Sequence, residues 1–213
     1  MRLKRIRKEY GGLNVLRDFS LELADTGAVC LFGPSGSGKT TLLRILAGLE
    51  KADGGEIEGL EGKRVSMVFQ EDRLIDAASP LRNVELAGAD RPRALEIFTA
   101  LGLTEKELAA KKTRELSGGM QRRVALARAL AFGGEIYLLD EPFKGLDEGI
   151  KFKVMDIFKG IAESALVIFS THDRQEALWL SDQIIRLDGP PLTIVEVFSE
   201  KNEFPLEKGD TLE

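Results

Sequence analysis

Residues 28–40 read Ala28-Val-Cys-Leu-Phe-Gly-Pro-Ser-Gly-Ser-Gly-Lys-Thr40, and this stretch decides the fold. Ala28 to Phe32 is a short continuous apolar run, the pattern of a strand buried on both faces. From Thr40 to Leu49, the residues Leu42, Leu43, Leu46 and Leu49 recur at helical spacing and predict a helix. Between them Gly33, Gly36 and Gly38 precede Lys39 and Thr40. Strand, glycine loop and helix in this order make a phosphate-binding loop. Glycine lets an anion approach the backbone, and the helix N-terminus offers unpaired N–H groups at its positive end. Lys39 is placed to hold the β- and γ-phosphates of a nucleotide, and the Thr40 hydroxyl to bind Mg²⁺.

Outward from this unit the chain alternates strands and helices. Upstream, Arg2 to Tyr10 and Val15 to Leu23 flank Gly11-Gly12 and predict an antiparallel hairpin. Downstream, Glu56–Ile57 and Arg64–Phe69 read as strands, with Gln70 where the second ends. Ser79 to Lys112 turns helical in three pieces, Val84–Leu86, Ala94–Leu101 and Glu105–Ala110, separated by Pro92, Gly102 and Thr104, the last placed as an N-cap. Ser117 is placed to cap a helix running to about Ala131, which Gly133-Gly134 ends. Strand Ile136–Leu139, helix Glu148–Ile161, strand Leu166–Phe169, helix Arg174–Leu180 and strand Ile184–Leu187 follow, with a further strand at Thr193–Phe198. This alternation predicts an α/β protein with a mostly parallel sheet covered by helices. The polar end from Glu200 to Glu213 is expected to be loosely ordered.

The 213 residues carry 30 basic and 35 acidic side chains, a formal charge of -5 that gives no electrostatic case for nucleic-acid binding. The longest apolar runs, such as Ala165 to Phe169, fall far short of the roughly 20 residues that span a bilayer. Met1 to Lys8 interleaves Leu3 and Ile6 with charge, unlike a secretory signal, so a cytoplasmic location is expected. The basic residues there, Arg2, Lys4, Arg5, Arg7 and Lys8, read as a solvated edge strand. The single cysteine, Cys30, reads as a small buried side chain.

Two further motifs carry chemistry. Tyr137-Leu-Leu-Asp140-Glu141-Pro142 ends an apolar strand on an acidic pair: Asp140 suits a hard Mg²⁺ ion, and Glu141 suits a general base for an attacking water. Leu116-Ser-Gly-Gly-Met-Gln-Arg-Arg123 is a second Gly-Gly turn opening a helix, where Ser117 offers a hydroxyl and the helix start offers N–H donors to an anion.

This ordered set, over residues 2 to 190, resembles the ATP-binding subunits of ABC transporters. The resemblance implies a P-loop NTPase core with an antiparallel β subdomain, at 1–75 and 132–213, and a small helical subdomain at about 76–131. It implies that Gly33, Pro34, Ser35, Gly36, Ser37, Gly38, Lys39, Thr40 and Thr41 bind ATP, and that Tyr10 stacks on adenine. Gln70 is similar to the glutamine that senses nucleotide and Mg²⁺, alongside the metal residues Thr40 and Asp140. His172, in Ser170-Thr-His-Asp and the only histidine of the chain, resembles the switch histidine on the γ-phosphate and joins Glu141 and Lys39 as catalytic. Ser117, Gly118 and Gly119 resemble the signature that meets the γ-phosphate of a second copy, with Asp147 in the adjoining loop. Where the family shows a small serine followed by Ala-Leu-Asp, this chain has Lys144-Gly-Leu-Asp147.

The resemblance further implies a head-to-tail dimer with a second ATPase subunit, closed by ATP and released by hydrolysis. Membrane permease subunits would dock on the region from Gln70 to about Ala89, placing the chain peripherally on the inner face of the membrane. His172-Asp-Arg-Gln-Glu-Ala177 and the methionine of the signature resemble importer ATPases, and Phe69-Gln-Glu-Asp-Arg-Leu74 those for nitrate, sulfonate and taurine, so an extracytoplasmic solute-binding protein is an expected partner. Ending at Glu213 is expected to leave no appended regulatory domain. An exporter or lipoprotein-release ATPase, and a soluble ATPase acting on ribosomes or DNA, stand as alternatives.

Overall fold

A computed structural model describes residues 1–108, 112–199 and 203–205. The protein is α/β, built on two sheets. The smaller is antiparallel: β1 (Arg2–Tyr10) lies between β2 (Leu13–Glu22) and β4 (Gly54–Glu58). The larger has six strands, ordered β5 (Val65–Val68), β6 (Ile136–Asp140), β7 (Leu166–Thr171), β3 (Gly27–Phe32), β8 (Gln183–Asp188) and β9 (Thr193–Phe198). All its pairings are parallel except β8 with β9.

The apolar runs of the central strands bury both faces, and successive residues divide between two cores as side chains alternate across a sheet. Cys30, Leu139, Phe169 and Ile184 face one core, while Leu31, Leu138, Ile168 and Ile185 face the other. The second core is closed by α1 (Lys39–Leu46), through Leu42, Leu43 and Leu46, and by Leu3, Ile6, Leu16 and Phe19 of the antiparallel sheet. The first is closed by α5 (Gly118–Phe132), α6 (Glu148–Ala162), α7 (Arg174–Leu180) and the short helices α2 (Pro80–Glu85), α3 (Arg91–Ala100) and α4 (Glu105–Leu108). Cys30 is fully buried, as expected, and burial pushes its thiol well above the usual range.

Three sequence expectations need correction. β1 is the central strand of its sheet, not an edge, and several of its basic residues pair with acids: Arg2 with Glu22, Lys4 with Glu58, and Lys8 with Glu50 and Asp53. Alternating charge made the strand look solvated, yet Leu3 and Ile6 on its other face are buried. Helix α1 stops at Leu46, leaving Leu49 57% exposed, because Gly48 at φ 69° turns the chain out of the helix. Pro92 does not separate helices. It sits in the first turn of α3, where its missing N–H costs nothing, and Asp90 is the cap. The expectation for the C-terminal tail falls mostly outside the described residues; Phe204 is buried, edge-on to Phe32 and Phe198.

Candidate nucleotide site

The glycine loop leaves β3 and enters α1 through Gly38, whose φ of 111° favours glycine and whose added Cβ would meet Val15 Cγ1 at 3.0 Å. Gly33 has a different constraint. A Cβ there would lie 2.3 Å from the Leu187 carbonyl oxygen, so only glycine lets β3 and β8 pass this closely. Lys39 is buried, and its ammonium donates to the carbonyls of Gly33 at 2.8 Å and Pro34 at 2.7 Å. Burial pulls its pKa down, against the opposing pull of Glu141 and Asp140.

The parallel sheet carries the acidic pair to the same rim, since β6 and β3 both flank β7 and run in one direction. A cleft of about 190 Å³ is lined by Ser35, Gly36, Gly38, Lys39, Thr40, Thr41, Gln70, Asp140 and Glu141. Most of the expected loop residues, the metal candidates and the candidate base are therefore brought together at the C-terminal ends of the parallel strands, where ligands bind in open α/β sheets. Pro34 and Ser37 belong to the loop itself, Ser37 being buried within it.

Ser170, at the end of β7, organises the acidic pair. Its hydroxyl donates to Asp140 Oδ1 at 2.7 Å and accepts from the Glu141 N–H at 3.0 Å. Glu141 stands at φ 44°, a left-handed conformation that a glutamate adopts at a cost of about 1 kcal/mol or more. Its carboxylate is 3.7 Å from His172 Nδ1 and 3.4 Å from Lys144 Nζ. The exposed His172 thus faces the candidate base from the next loop. Beneath it, buried Glu176 accepts the Thr171 hydroxyl at 2.6 Å and lies 3.8 Å from Lys151.

Oxygen donors from Thr40, Gln70 and Asp140 on one cleft fit Mg²⁺, which takes one or two carboxylates and completes its shell with phosphate and water. Among the described residues there is no cluster of three or more His, Cys, Asp or Glu that could hold a metal by itself.

Ser117, Gly118, Gly119, Asp147 and Tyr10 do not line the cleft. Ser117 is exposed and caps α5, accepting the Met120 N–H at 3.3 Å, while Asp147 caps α6 by accepting the Ile150 N–H at 3.1 Å. The signature turn abuts the loop after Glu141, since a Cβ on Gly119 would come within 3.0 Å of the Gly145 carbonyl oxygen. Tyr10 is 43% exposed at the end of β1, with Lys8 Nζ 5.0 Å from its ring centre. Sequence reasoning assigned no role to Ser170, Glu176 or Arg122. Each lies within or beside a quoted motif, but only the paired strands reveal what its side chain touches.

A phosphate loop, an acidic strand end and a capped Gly-Gly turn on a P-loop core define an ATP-binding cassette ATPase. The ABC transporter family profile matches residues 16–144, and the chain belongs to this family. It is 38% identical to the aliphatic sulfonates import ATP-binding protein SsuB 1 of Pseudomonas savastanoi, over 100% of the chain and 90% of that protein. It is 39% identical to the taurine import ATP-binding protein TauB of Pseudomonas aeruginosa, over 85% of the chain and 74% of that protein. Among solved structures, the dimeric post-hydrolysis cassette MJ0796 bound to ADP and Pi superposes with a TM-score of 0.82 at 32% identity, over 92% of this chain and 97% of that one. Among the described residues no helix is long and apolar enough to cross a membrane.

Proposed function

We propose that the protein is the ATP-hydrolysing subunit of an importer for a small solute of the sulfonate or taurine kind. The observation that carries the reading is the convergence of Lys39, Thr40, Gln70, Asp140 and Glu141 on one cleft, with the signature facing elsewhere. The import half rests on relatives that are named as import ATP-binding proteins, which favours import over export and over a role on ribosomes or DNA.

In this reading the loop N–H groups from Gly33 to Thr41 cradle the phosphates and Lys39 turns from its loop carbonyls to the β- and γ-phosphates. Thr40, Gln70 and Asp140 hold Mg²⁺, which when bound neutralises charge on the phosphate oxygens. Glu141 accepts a proton from the attacking water, and His172, beside it, reaches the γ-phosphate. Tyr10 stacks on adenine. Ser117, Gly118 and Gly119 of a second copy, with the Asp147 loop, close over the phosphate. On this reading the fold divides into a core at 1–75 and 132–213 and a lobe at about 76–131 that carries the signature, with the permease-docking surface, Gln70 to about Ala89, running across the boundary between them. Permease subunits would hold the ATPase at the inner face of the membrane, and an external binding protein would deliver the solute.

The test is Glu141→Gln. ATP binding is expected to persist while hydrolysis falls by roughly 10² to 10⁴, as for loss of a general base. Unchanged turnover removes Glu141 from the reaction, and co-purification with a permease and a solute-binding protein checks the import half.

A further inference from the structure

Arg122 lies in α5, shortly after Ser117, and is buried. Its Nε donates to the Pro142 carbonyl at 2.8 Å. Nη2 donates to the carbonyls of Asp140 at 3.0 Å and Glu141 at 2.6 Å. Nη1 donates to the Phe69 carbonyl at 2.6 Å and to Asp72 Oδ1 at 2.9 Å. One planar fork therefore holds three consecutive carbonyls at the acidic end of β6 and the carbonyl just before Gln70. A guanidinium has five N–H donors in fixed geometry, whereas lysine offers three from a single point and glutamine two.

The Glu141 peptide is clamped from both sides. Its N–H is held by Ser170 and its carbonyl by Arg122, at a residue whose left-handed backbone persists only where the surroundings over-determine it. The direction in which the Glu141 side chain leaves the backbone is thus fixed by a residue of the signature helix. The same helix presents Ser117 on the surface, away from its own cleft.

We infer that Arg122 is a positioning residue for hydrolysis. It orients Glu141 and links the backbone of Glu141 and of Phe69, next to Gln70, to α5, so that displacement of the signature helix and reorientation of the base occur together. The inference rests on the proposed ATPase reading. A purely structural staple would lower stability, nucleotide affinity and turnover together, whereas a positioning residue lowers turnover selectively.

The experiment compares the full chain with Arg122→Lys and Arg122→Gln, measuring MgATP turnover, affinity for a fluorescent trinitrophenyl-ATP, and melting temperature. In the folded variants kcat is expected to fall ~10- to 100-fold, the scale of misplacing a reacting group by up to an ångström, while the probe affinity stays within about threefold. Wild-type kcat in a folded variant, or affinity falling in step with kcat, overturns the inference. If neither buried replacement folds, Asp72→Ala decides, because Asp72 is partly exposed and removing it withdraws one of Arg122's anchors. Reduced kcat at unchanged affinity then supports the inference, and wild-type kcat overturns it. Failure of the unmodified protein to hydrolyse ATP overturns the ATPase reading itself, a result distinct from an effect confined to the variants.

Discussion

Glu176 shows how a single side chain can be read in two ways. In sequence it is part of a helix start resembling importer ATPases; in the fold it is a buried carboxyl under the His172 loop. Burial raises its pKa first and foremost, with Asp173 adding to the rise, while the Thr171 hydroxyl, Lys151 and His172 pull it down. A raised folded-state pKa fixes the sign of its pH dependence. Below the ordinary value of 4.5 the group is protonated in both states and its stabilising contribution is fully present. As pH rises through the folded-state pKa, the folded protein must hold a buried charge and the contribution is lost. Glu176→Gln keeps an oxygen to accept the Thr171 hydroxyl without that charge. The stability of the wild type relative to the variant is therefore expected to fall as pH rises above 4.5, by at most about 1.4 kcal/mol per pH unit. Urea unfolding of both proteins across this window measures the difference, and a difference independent of pH contradicts the account. Lys39 and Gly33 were legible in the sequence because the spacing of a phosphate loop names them. Ser170 and Glu176 were not, because the partner of the first, Asp140, lies on another strand, and the second is buried beside Lys151 of another helix as well as its neighbour Thr171.

At the scale of elements, α5 has two jobs at its start. Ser117 caps the helix by accepting the Met120 N–H, and in the proposed mechanism the same hydroxyl serves the phosphate of a second copy. Ser117→Ala is expected to cost about 1 kcal/mol of stability, the usual worth of a cap, read by denaturant unfolding. Ser117→Arg is expected to abolish hydrolysis while leaving the nucleotide affinity of the isolated subunit nearly intact, checked by titrating both with a fluorescent nucleotide. Parallel loss of affinity and turnover would place Ser117 in its own subunit's site. The extents of α7 and β9 agree with the expected helix Arg174–Leu180 and strand Thr193–Phe198, and Asp173 caps α7. The extents of α1 and α3 do not agree with expectation. Leu49 continues a helical pattern past Gly48, and Pro92 punctuates a sequence even where it is the second residue of a helix.

For the whole molecule, the signature does not line the cleft of its own subunit, and in the proposed mechanism two copies related by a two-fold axis complete two sites at once. The superposition on a dimeric cassette supports this arrangement. In the proposed mechanism ATP would favour the closed pair through the contacts it makes with both copies, a population shift that hydrolysis would reverse. The Glu141→Gln protein is expected to run near the monomer mass of 23.4 kDa without nucleotide and at about twice that mass with MgATP in light scattering. The wild type should return to monomer as ATP is consumed. A monomer in Glu141→Gln at saturating MgATP would exclude an ATP-held dimer.

The sequence by itself determined the strand, glycine loop and helix at residues 28–46, the acidic strand end, the Gly-Gly turn opening a helix at Ser117 and the α/β class. Each is written in local spacing and hydrophobic periodicity, which depend on neighbouring residues alone. Only the tertiary structure decided that β1 is interior to its sheet, that Ser170 and Arg122 clamp the left-handed Glu141 peptide, and that the signature lies outside the cleft its own subunit forms. Those facts depend on strand order and on long-range hydrogen bonds, set by how two cores close on opposite faces of one sheet rather than by any short run of residues.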